Sequence, residues 1–293
     1  MNSRTEKIGA RRQRIRADHT RIRLILFLSL VAALLLAAVF AEWICPYDPN
    51  GQDLSIALQP PSPAHPFGTD RYGRDMLSRV IIGGQTSIFS ALILVGIIAV
   101  AGTLLGLLCG YFGGALDAVI MRVSDICLAF PGLVFAMAVA AVLQGGIQNA
   151  VIALAAVSWP KYARLARSQT LTVKNLTYIQ AAKLSGTSSF GILFRHILPN
   201  IAGPVLVTAM LDIGTMMMEI AALSFLGLGA QPPTAEWGSM MSSGRSMLQT
   251  YPWVVLTPGL GIFVSVALFN LLGDTVRDTL DPRNGLRKRR RSK

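Results

Sequence analysis

The sequence predicts an all-α membrane protein. Hydrophobic residues make up 52% of the 293 residues and charged residues only 14%, and the mean hydropathy is +0.51. These values are far from those of a soluble domain of this length. A helix that spans a bilayer needs about 20 mostly apolar residues. Six runs approach or reach that length, at residues 24–41, 86–109, 126–143, 147–159, 201–223 and 254–272, so we expect six transmembrane helices.

Two of the six runs need a further argument. The fourth reaches span length only if its helix continues through Pro160 into Tyr162 and Ala163, which a proline kink in a transmembrane helix permits. The first resembles a signal peptide with a cleavage site at residues 39–41. However, it is long for the apolar part of a signal peptide, a long basic region precedes it, and five more runs follow. We therefore interpret it as an uncleaved anchor.

Basic residues are concentrated in three parts of the chain. Residues 1–23 hold eight lysines and arginines, residues 161–195 hold six without one acid, and the chain ends in RKRRRSK. Positive residues collect on the cytoplasmic side of a membrane protein, so we place both termini and the central loop in the cytoplasm. Residues 42–85 and 224–253 then lie on the other side.

This topology divides the chain into five parts. Residues 1–23 are a basic cytoplasmic tail, residues 24–41 the first transmembrane anchor and residues 42–85 an extracytoplasmic loop. Residues 86–280 form a five-helix core with a cytoplasmic loop at 164–200, and residues 281–293 are a second basic tail. The formal net charge of +12 then reflects topology and contact with anionic membrane lipid. No folded nucleic-acid-binding module accompanies the tails, so we expect no nucleic acid partner.

Sequence motifs of catalysis are absent. The chain has no GxxxxGK[ST] phosphate loop, no HExxH and no GxSxG. Its three histidines lie far apart, and Cys45, Cys109 and Cys127 are too scattered for a disulfide framework or a zinc site. We expect packing roles for the cysteines, no ATP hydrolysis and no cofactor bound by this chain. The energy for any transport must then come from elsewhere.

The central loop carries a pattern that points to a partner. Gln180-Ala181-Ala182 is followed by Gly186 and then by Ile197 and Pro199. Small alanines allow another protein to approach closely, and glycine can adopt a positive φ at a sharp turn. Pro199 suits the first turn of the next spanning helix. The pattern resembles the EAA loop of permease subunits in ATP-binding-cassette importers; an ordinary solvated loop between helices is the alternative.

Two further segments carry the same resemblance. HPFGTDRYGRDMLSR at residues 65–79 is similar to the HxxGTDxxGRDxxSR signature of the importer branch for dipeptides, oligopeptides and nickel. SFLGLG at residues 224–229, followed by QPPTAEWG, is similar to a second signature of that branch. The resemblance covers residues 43–283. It departs from the family pattern at Gln180, where Glu is usual, and at Gln85, where Arg is frequent.

The resemblance implies a fold and a set of partners. The fold would be that of a type I importer permease of the second of the two permease types, in a bacterial inner membrane. Its partners would be a homologous second permease, two ATPase subunits that use ATP and Mg²⁺, and an extracytoplasmic substrate-binding protein. The central loop, through residues 180–182, Gly186, Ile197 and Pro199, would dock on the ATPase and couple its closure to the permease.

The charged residues of the first signature allow two interpretations. The candidates for docking the binding protein are Asp70, Arg71, Arg74 and Asp75. At spacings of three and four residues the same side chains can pair with each other in a structural role. Thr69 or Asp70 is also placed to cap a short helix over residues 71–82.

Two patterns concern helix packing. Gly102, Gly106 and Gly110 repeat every four residues in the second apolar run, which lets a neighbouring helix approach closely. Residues 234–249 place Trp237 and several methionines on roughly one helical face. This predicts an amphipathic helix at the outer membrane interface.

The fifth apolar run contains two acids. Asp212 and Glu219 lie seven residues apart on one helical face, with Met216 between them. Ionisable residues in a span are costly and usually face a cavity, so this face is a candidate translocation pathway. Alternatively, the carboxylates pair with polar groups on a neighbouring helix or subunit.

The substrate class rests on a short stretch. LDIGTMMM at residues 211–218 resembles nickel-type members of the family, and carboxylate and thioether are plausible metal contacts. We therefore favour import of nickel or a metal chelate over import of dipeptides or oligopeptides, without assigning metal ligands. The alternative from another class is an ion-coupled secondary transporter with Asp212 and Glu219 as coupling residues; no inverted repeat supports it.

Overall fold

The computed structural model describes the backbone of residues 2–280 and the side chains of residues 21–279. The predicted basic tail at residues 281–293 lies outside the described residues, as do the side chains of residues 1–20. All regular secondary structure in the described chain is helical, apart from one isolated bridge between Thr69 and Asp75. The predicted all-α fold class is confirmed.

The described residues form eleven α-helices. They are α1 (Asn2–Val39), α2 (Ala41–Ile44), α3 (Met76–Phe112), α4 (Gly114–Ala129), α5 (Gly132–Val142), α6 (Ile147–Val173), α7 (Thr177–Leu184), α8 (Ser189–Gly191), α9 (Leu198–Phe225), α10 (Trp237–Gly244) and α11 (Trp253–Leu280). Shorter elements are two 3-10 turns, Leu54–Ile56 and Arg245–Met247, and a π-helical stretch, Ile192–Ile197.

Four helical stretches are long and apolar enough to cross a membrane. They are Arg21–Val39, Met76–Phe112, Ser189–Phe225 and Trp253–Thr279. Helices α4 and α5 together are also long and apolar enough, but they meet at a 95° bend. Helix α6 carries Lys161, Arg164 and Arg167, which makes it more polar than the others. The described residues therefore offer four or five spans by length and composition, and the count of six stays a prediction.

The third predicted span, residues 126–143, is not one helix. Helix α4 ends at Ala129 and α5 begins at Gly132, with Phe130 extended and Pro131 at the start of α5. Proline lacks a backbone N–H and disfavours a helical conformation in the residue before it. The prediction of a single helix here is wrong because the apolar run continues unchanged across the bend.

Helix α3 is longer than the sequence suggests. It has 37 residues, a length of about 55 Å. The predicted short helix over residues 71–82 and the predicted span at 86–109 are both absorbed into this helix, which begins only at Met76. Its N-cap is Asp75, which accepts a hydrogen bond from the Ser78 backbone N–H at 2.7 Å. The prediction that Thr69 or Asp70 caps it is wrong, because both side chains are engaged within the preceding loop.

The glycine repeat brings α3 against α6, which continues through a buried Pro160 as expected. A Cβ atom at Gly102, Gly106 or Gly110 would overlap a backbone carbonyl oxygen of α6. The oxygens belong to Trp159, Ala163 and Arg167, respectively. The two backbones therefore touch along two helical turns, and the predicted packing role of these glycines is confirmed.

The predicted amphipathic helix over residues 234–249 is shorter and more buried than expected. Helix α10 ends at Gly244. Both Trp237 and Met240 belong to the larger of the two clusters of buried apolar side chains, which we call the main core. The Trp237 indole N–H donates to the Val80 carbonyl at 2.9 Å. The apolar face of α10 therefore packs on α3, α9 and α11 and does not lie on lipid. An amphipathic pattern alone does not distinguish these two environments.

We expect Gly106→Ala to destabilise the protein, because the added methyl group overlaps the Ala163 carbonyl and forces α3 away from α6. The expected loss is about 1–3 kcal/mol. Gly96→Ala is the matched control, since Gly96 lies in the same helix and an added Cβ would have no atom within 4 Å. Thermal unfolding of the purified proteins in one detergent measures both effects. Equal Tm values for the two variants would contradict the close packing.

Candidate functional site

A short helical hairpin follows α6. Helices α7 and α8 are joined by a turn at Gly186, whose φ is +80°. We call residues 177–191 the hairpin. The chain then passes through the π-helical stretch into α9, which has Pro199 in its first turn. The expected positive φ at Gly186 and the expected position of Pro199 are both confirmed.

The other residues of the EAA-like pattern have unequal environments. Gln180 and Ala181 are exposed on α7, as is Gly186, and Ala182 is half-buried. Ile197 is fully buried. The hairpin thus presents three of these residues to its surroundings, whereas Ile197 belongs to the packing beneath it.

A separate apolar cluster holds the hairpin to the bundle. Its buried members come from the hairpin, the π-helical stretch and the adjoining parts of α3, α6 and α9: Leu107, Ala166, Val173, Ile179, Ile192, Leu193, Ile197 and Ile201. Of these, the sequence interpretation identified only Ile197. The four-residue spacing of Leu193, Ile197 and Ile201 was the available signal. Close-packed side chains transmit displacement, so this cluster mechanically connects the hairpin to α3 and α6.

The hairpin also carries exposed apolar side chains. Leu184 at the end of α7 is 91% exposed, and Phe190 is 65% exposed. Phe190 stacks on Phe194, with ring centroids 6.4 Å apart. Tyr178 is exposed as well, and so is Leu176 directly before the hairpin. Clustered apolar groups without cover indicate an interaction surface for another protein.

Polar contacts fix the base of the hairpin. Lys174 Nζ donates to the Gly110 carbonyl at 2.7 Å, near the end of α3. Gln180 Nε2 donates to the Lys174 carbonyl at 3.2 Å. An ionised glutamate at position 180, usual in the family pattern, has no proton for that carbonyl. Gln180 therefore provides an internal hydrogen bond where the pattern has a charge.

A second polar group lies between α6 and α9. Asp212 is 3% exposed; its carboxylate accepts from Lys161 Nζ and, at 2.9 Å, from the Tyr162 hydroxyl. The Lys161 side chain is 56% exposed, so the ion pair reaches the protein surface. The pairing alternative for Asp212 therefore has observed partners, 50 or more residues away in sequence.

The same face of α9 continues to Met216 and Glu219. Met216 is buried in the main core, whereas Glu219 is half-buried and its carboxylate has no hydrogen-bond partner in the described part of the chain. The face predicted from helical spacing thus exists. A pathway role for Asp212, Met216 and Glu219 stays a prediction.

Two arginines within the predicted loop 164–200 belong to α6 and bind α4. Arg167 binds Asp117 through two hydrogen bonds of 2.5 and 2.6 Å. Arg164 donates to Asp125 at 2.6 Å and to Ser124 at 3.2 Å. These contacts hold α4 beside α6, close to the hairpin. Sequence analysis missed them because the partners are about 40 to 50 residues apart.

The charged residues of the first signature bind one another at the Met76 end of α3. Asp70 accepts from Arg74 Nε at 2.6 Å and from the Arg74 backbone N–H at 3.0 Å. Asp75 accepts from the Ser78 hydroxyl at 2.8 Å and lies 2.9 Å from His65 Nδ1. Asp70, Arg74 and Asp75 are all buried. We call Asp70, Arg74, Asp75 and Arg79 the arginine–aspartate cluster.

This cluster also binds the loop that precedes it. Arg79 donates to the Pro49 carbonyl at 2.9 Å, and the Thr69 hydroxyl donates to the Ile56 carbonyl. At Gly73, where φ is +71°, a side chain would collide with the Asp53 backbone. The first signature thus fastens the loop before α3 to the start of that helix.

Among the four candidate docking residues, only Arg71 is exposed. Its guanidinium carbon lies 4.7 Å from the centre of the Tyr72 ring. Asp70 and Arg74 pair with each other, and Asp75 binds Ser78 and His65. Their role in docking a binding protein stays a prediction, and Arg71 is the member best placed for contact.

No group of three or more His, Cys, Asp or Glu side chains in the described part of the chain could hold a metal ion. Cys109 and Cys127 are buried, Cys45 is partly buried, and all three are unpaired. Burial raises the pKa of the Cys45 thiol, and the nearby Asp75 carboxylate adds to the effect. The Cys45 thiol is therefore protonated at neutral pH.

Comparison with known families gives two matches. Residues 102–285 match the family described as binding-protein-dependent transport system inner membrane component. Residues 24–61 match the N-terminal TM domain of oligopeptide transport permease C. The two matches together include residues 24–39 of α1, all of α2, residues 102–112 of α3 and all of the elements from α4 to the end of the described chain.

Individual relatives are similar over nearly the whole chain. A probable D,D-dipeptide transport system permease protein of Escherichia coli is 47% identical over 256 residues, 87% of this chain and 86% of the relative. A glutathione transport system permease protein of Escherichia coli is 47% identical over 272 residues, 92% and 89% of the two chains. That of Pectobacterium atrosepticum is 43% identical over 272 residues, with the same coverage.

We expect Lys161→Ala to lower stability by about 1–3 kcal/mol, because the buried Asp212 carboxylate loses its charged partner. The double variant Lys161→Ala/Asp212→Asn should be more stable than Lys161→Ala alone, since the unpaired charge is then removed. Thr215→Ala, at an exposed position of α9, is the control. Thermal unfolding of the four proteins measures these differences. A double variant less stable than Lys161→Ala would show that the ion pair does not govern this site.

Proposed function

The chain belongs to the family of binding-protein-dependent transport system inner membrane components, and on that premise we propose that it carries small peptides across the bacterial inner membrane. It is a permease subunit of an ATP-binding-cassette importer, and ATP hydrolysis belongs to partner subunits. Relatives of nearly the same length are named for transport of D,D-dipeptides and glutathione. Both names describe short peptides or peptide-like molecules, which is why we favour this cargo.

Nickel or a metal chelate is the weaker candidate. The nickel interpretation rests on the short stretch at residues 211–218. In that stretch Met216 and Met217 are buried in the main core. Asp212 is occupied by Lys161 and Tyr162. These contacts account for Asp212, Met216 and Met217 without a metal ion.

The proposed assembly contains this chain, a homologous second permease, two ATPase subunits and an extracytoplasmic binding protein. ATP and Mg²⁺ are used by the ATPases. In the proposed topology six helices span the membrane, α6 among them, and both termini and the hairpin are cytoplasmic. The Met76 end of α3 then faces the outside, where the binding protein delivers the peptide.

The proposed coupling mechanism depends on the hairpin. The hairpin exposes Leu184 and Phe190. Its Ile179, together with Ile192 directly after the hairpin, is buried against the ends of α3 and α6. An ATPase that grips the exposed side displaces the buried side with it, because a close-packed cluster has little room to deform. The displacement passes to α3 and α6 together, since their backbones touch at the glycines. Rocking of this unit against the second permease would open the pathway alternately to each side.

Uptake measurements in cells test the function. In a strain that lacks other peptide importers, removal of this chain should reduce uptake of a labelled dipeptide to background and leave nickel uptake unchanged. Arsenate, which depletes ATP, should abolish the dipeptide uptake, and an uncoupler that spares ATP should not. These results are expected because the partner ATPases supply the energy.

The opposite patterns distinguish the alternatives. Loss of nickel uptake alone would support the metal interpretation and return attention to Asp212, Met216 and Glu219. Uptake that resists arsenate but is stopped by the uncoupler would support an ion-coupled transporter. Restoration by the plasmid-borne chain is the control for effects on neighbouring genes.

A further inference from the structure

A cavity of about 470 Å³ opens at the Met76 end of the bundle. It is lined by the first signature, by the loop at residues 230–234 and by α10. Its volume lies within the range of about 300–1,000 Å³ that is usual for small-molecule sites. None of the contacts described for the hairpin or for Asp212 involves this cavity.

The lining carries an excess of positive charge. Arg71, Arg74 and Arg79 line the cavity, and Asp70 is the single acidic residue among the lining residues. Three positive charges against one negative charge leave an excess of two. Asp70 is already bound by Arg74 at 2.6 Å, with Arg79 at 3.9 Å. Such a cavity attracts an anionic group and repels a metal cation.

Arg71 is the guanidinium available to a ligand. No carboxylate in the described part of the chain pairs with it, and it is exposed. Stacking on the Tyr72 ring, 4.7 Å from its centre, orients the guanidinium and leaves its N–H groups free to bind a carboxylate through two hydrogen bonds. Arg74 and Arg79 are 8% and 5% exposed, and their limited contact with water strengthens the positive potential behind Arg71.

The remaining lining residues suit the rest of a peptide. Thr234 provides a hydroxyl group and Gln52 a side-chain amide. Ser239, Ser243 and Gln231 also line the cavity; each donates a hydrogen bond to a backbone carbonyl, and the side-chain oxygen of each can still accept one from a peptide N–H. An apolar part of the wall is formed by Met76, Pro232, Pro233, Met240, Met247 and Val254. A short peptide combines a terminal carboxylate with amide groups and apolar side chains. Each of these has a counterpart in the cavity.

We propose that this cavity is a binding site for a small peptide on the permease itself, with Arg71 contacting the peptide carboxylate. The inference rests on the proposed function in one respect, namely that peptides reach this side of the membrane as cargo. The site would receive a peptide released by the binding protein before the peptide enters the pathway.

Direct binding to the assembled importer tests the proposal. The complex is placed in lipid nanodiscs without binding protein, and binding of a labelled dipeptide is compared with that of the same dipeptide amidated at its C-terminus. Wild type should bind the free acid more tightly. Arg71→Gln should weaken binding of the free acid by about tenfold, the loss of one charged hydrogen-bonding contact, and leave the amide unchanged. Arg71→Lys should keep part of the preference.

Arg245→Gln is the matched control, because Arg245 is an exposed arginine on the same side of the bundle that does not line the cavity. Equal binding of acid and amide by wild type, or unchanged binding in Arg71→Gln, would overturn the proposal. A variant that alters only stimulation of the ATPase by the binding protein would also overturn it and assign Arg71 to protein docking. Dipeptide uptake by cells is measured separately, so failure of this site and failure of the proposed function are distinguishable.

Discussion

The contact of α3 with α6 through three glycines is the constraint on which the rest of the structure depends. Without side chains at Gly102, Gly106 and Gly110, the two backbones touch, and lipid cannot separate them. In a membrane, such contact replaces the hydrophobic driving force that packs helices in water. Helix α6 in turn holds α4 through Arg164 and Arg167 and α9 through Lys161 and Tyr162.

Helix α3 connects the two ends of the molecule. At its start, Asp75 binds His65 and Arg79 binds the Pro49 carbonyl, and these contacts fasten the loop that precedes the helix. At its far end Leu107 belongs to the cluster that holds the hairpin. The helix is about 55 Å long and is stiffened by α6 over much of that length. A displacement at the hairpin is therefore not absorbed locally. The Met76 end of α3 lies beside the positively charged cavity. The proposed peptide site and the proposed ATPase contact are therefore connected by one stiff helix.

The sequence predicted features that depend on local patterns. Apolar runs located most helices, the spacing of Gly106 and its neighbours predicted a packing stripe, and Gly186 predicted the hairpin turn. The apolar pattern of the sequence did not predict the bend at Pro131, because hydrophobicity is the same on both sides of the bend. Nor did it predict that α10 is buried, since lipid and protein both accept an apolar helix face.

The sequence also did not predict contacts between residues that are distant along the chain. The partners of Asp212 lie about 50 residues before it, and no local pattern joins them. The stretch at residues 211–218 predicted a metal feature from its residue types alone. In the structure Asp212 binds Lys161 and Tyr162, and Met216 and Met217 pack in the core. In the first signature the residue types were identified, but whether Asp70 and Arg74 face each other or a partner depends on loop geometry, which spacing does not determine.

The most direct test of the account asks whether the hairpin is where the ATPase binds. A photoreactive amino acid is introduced at Leu184, which is 91% exposed at the end of α7, and at Val142, which is 82% exposed at the end of α5. The turn that follows Val142 contacts the loop after α9, where Gly146 donates to the Gly229 carbonyl; in the proposed topology this loop lies on the side of the membrane opposite the hairpin. Illumination of the assembled importer should link position 184 to an ATPase subunit and position 142 to none. An ATPase adduct at position 142, or none at position 184, would contradict the account.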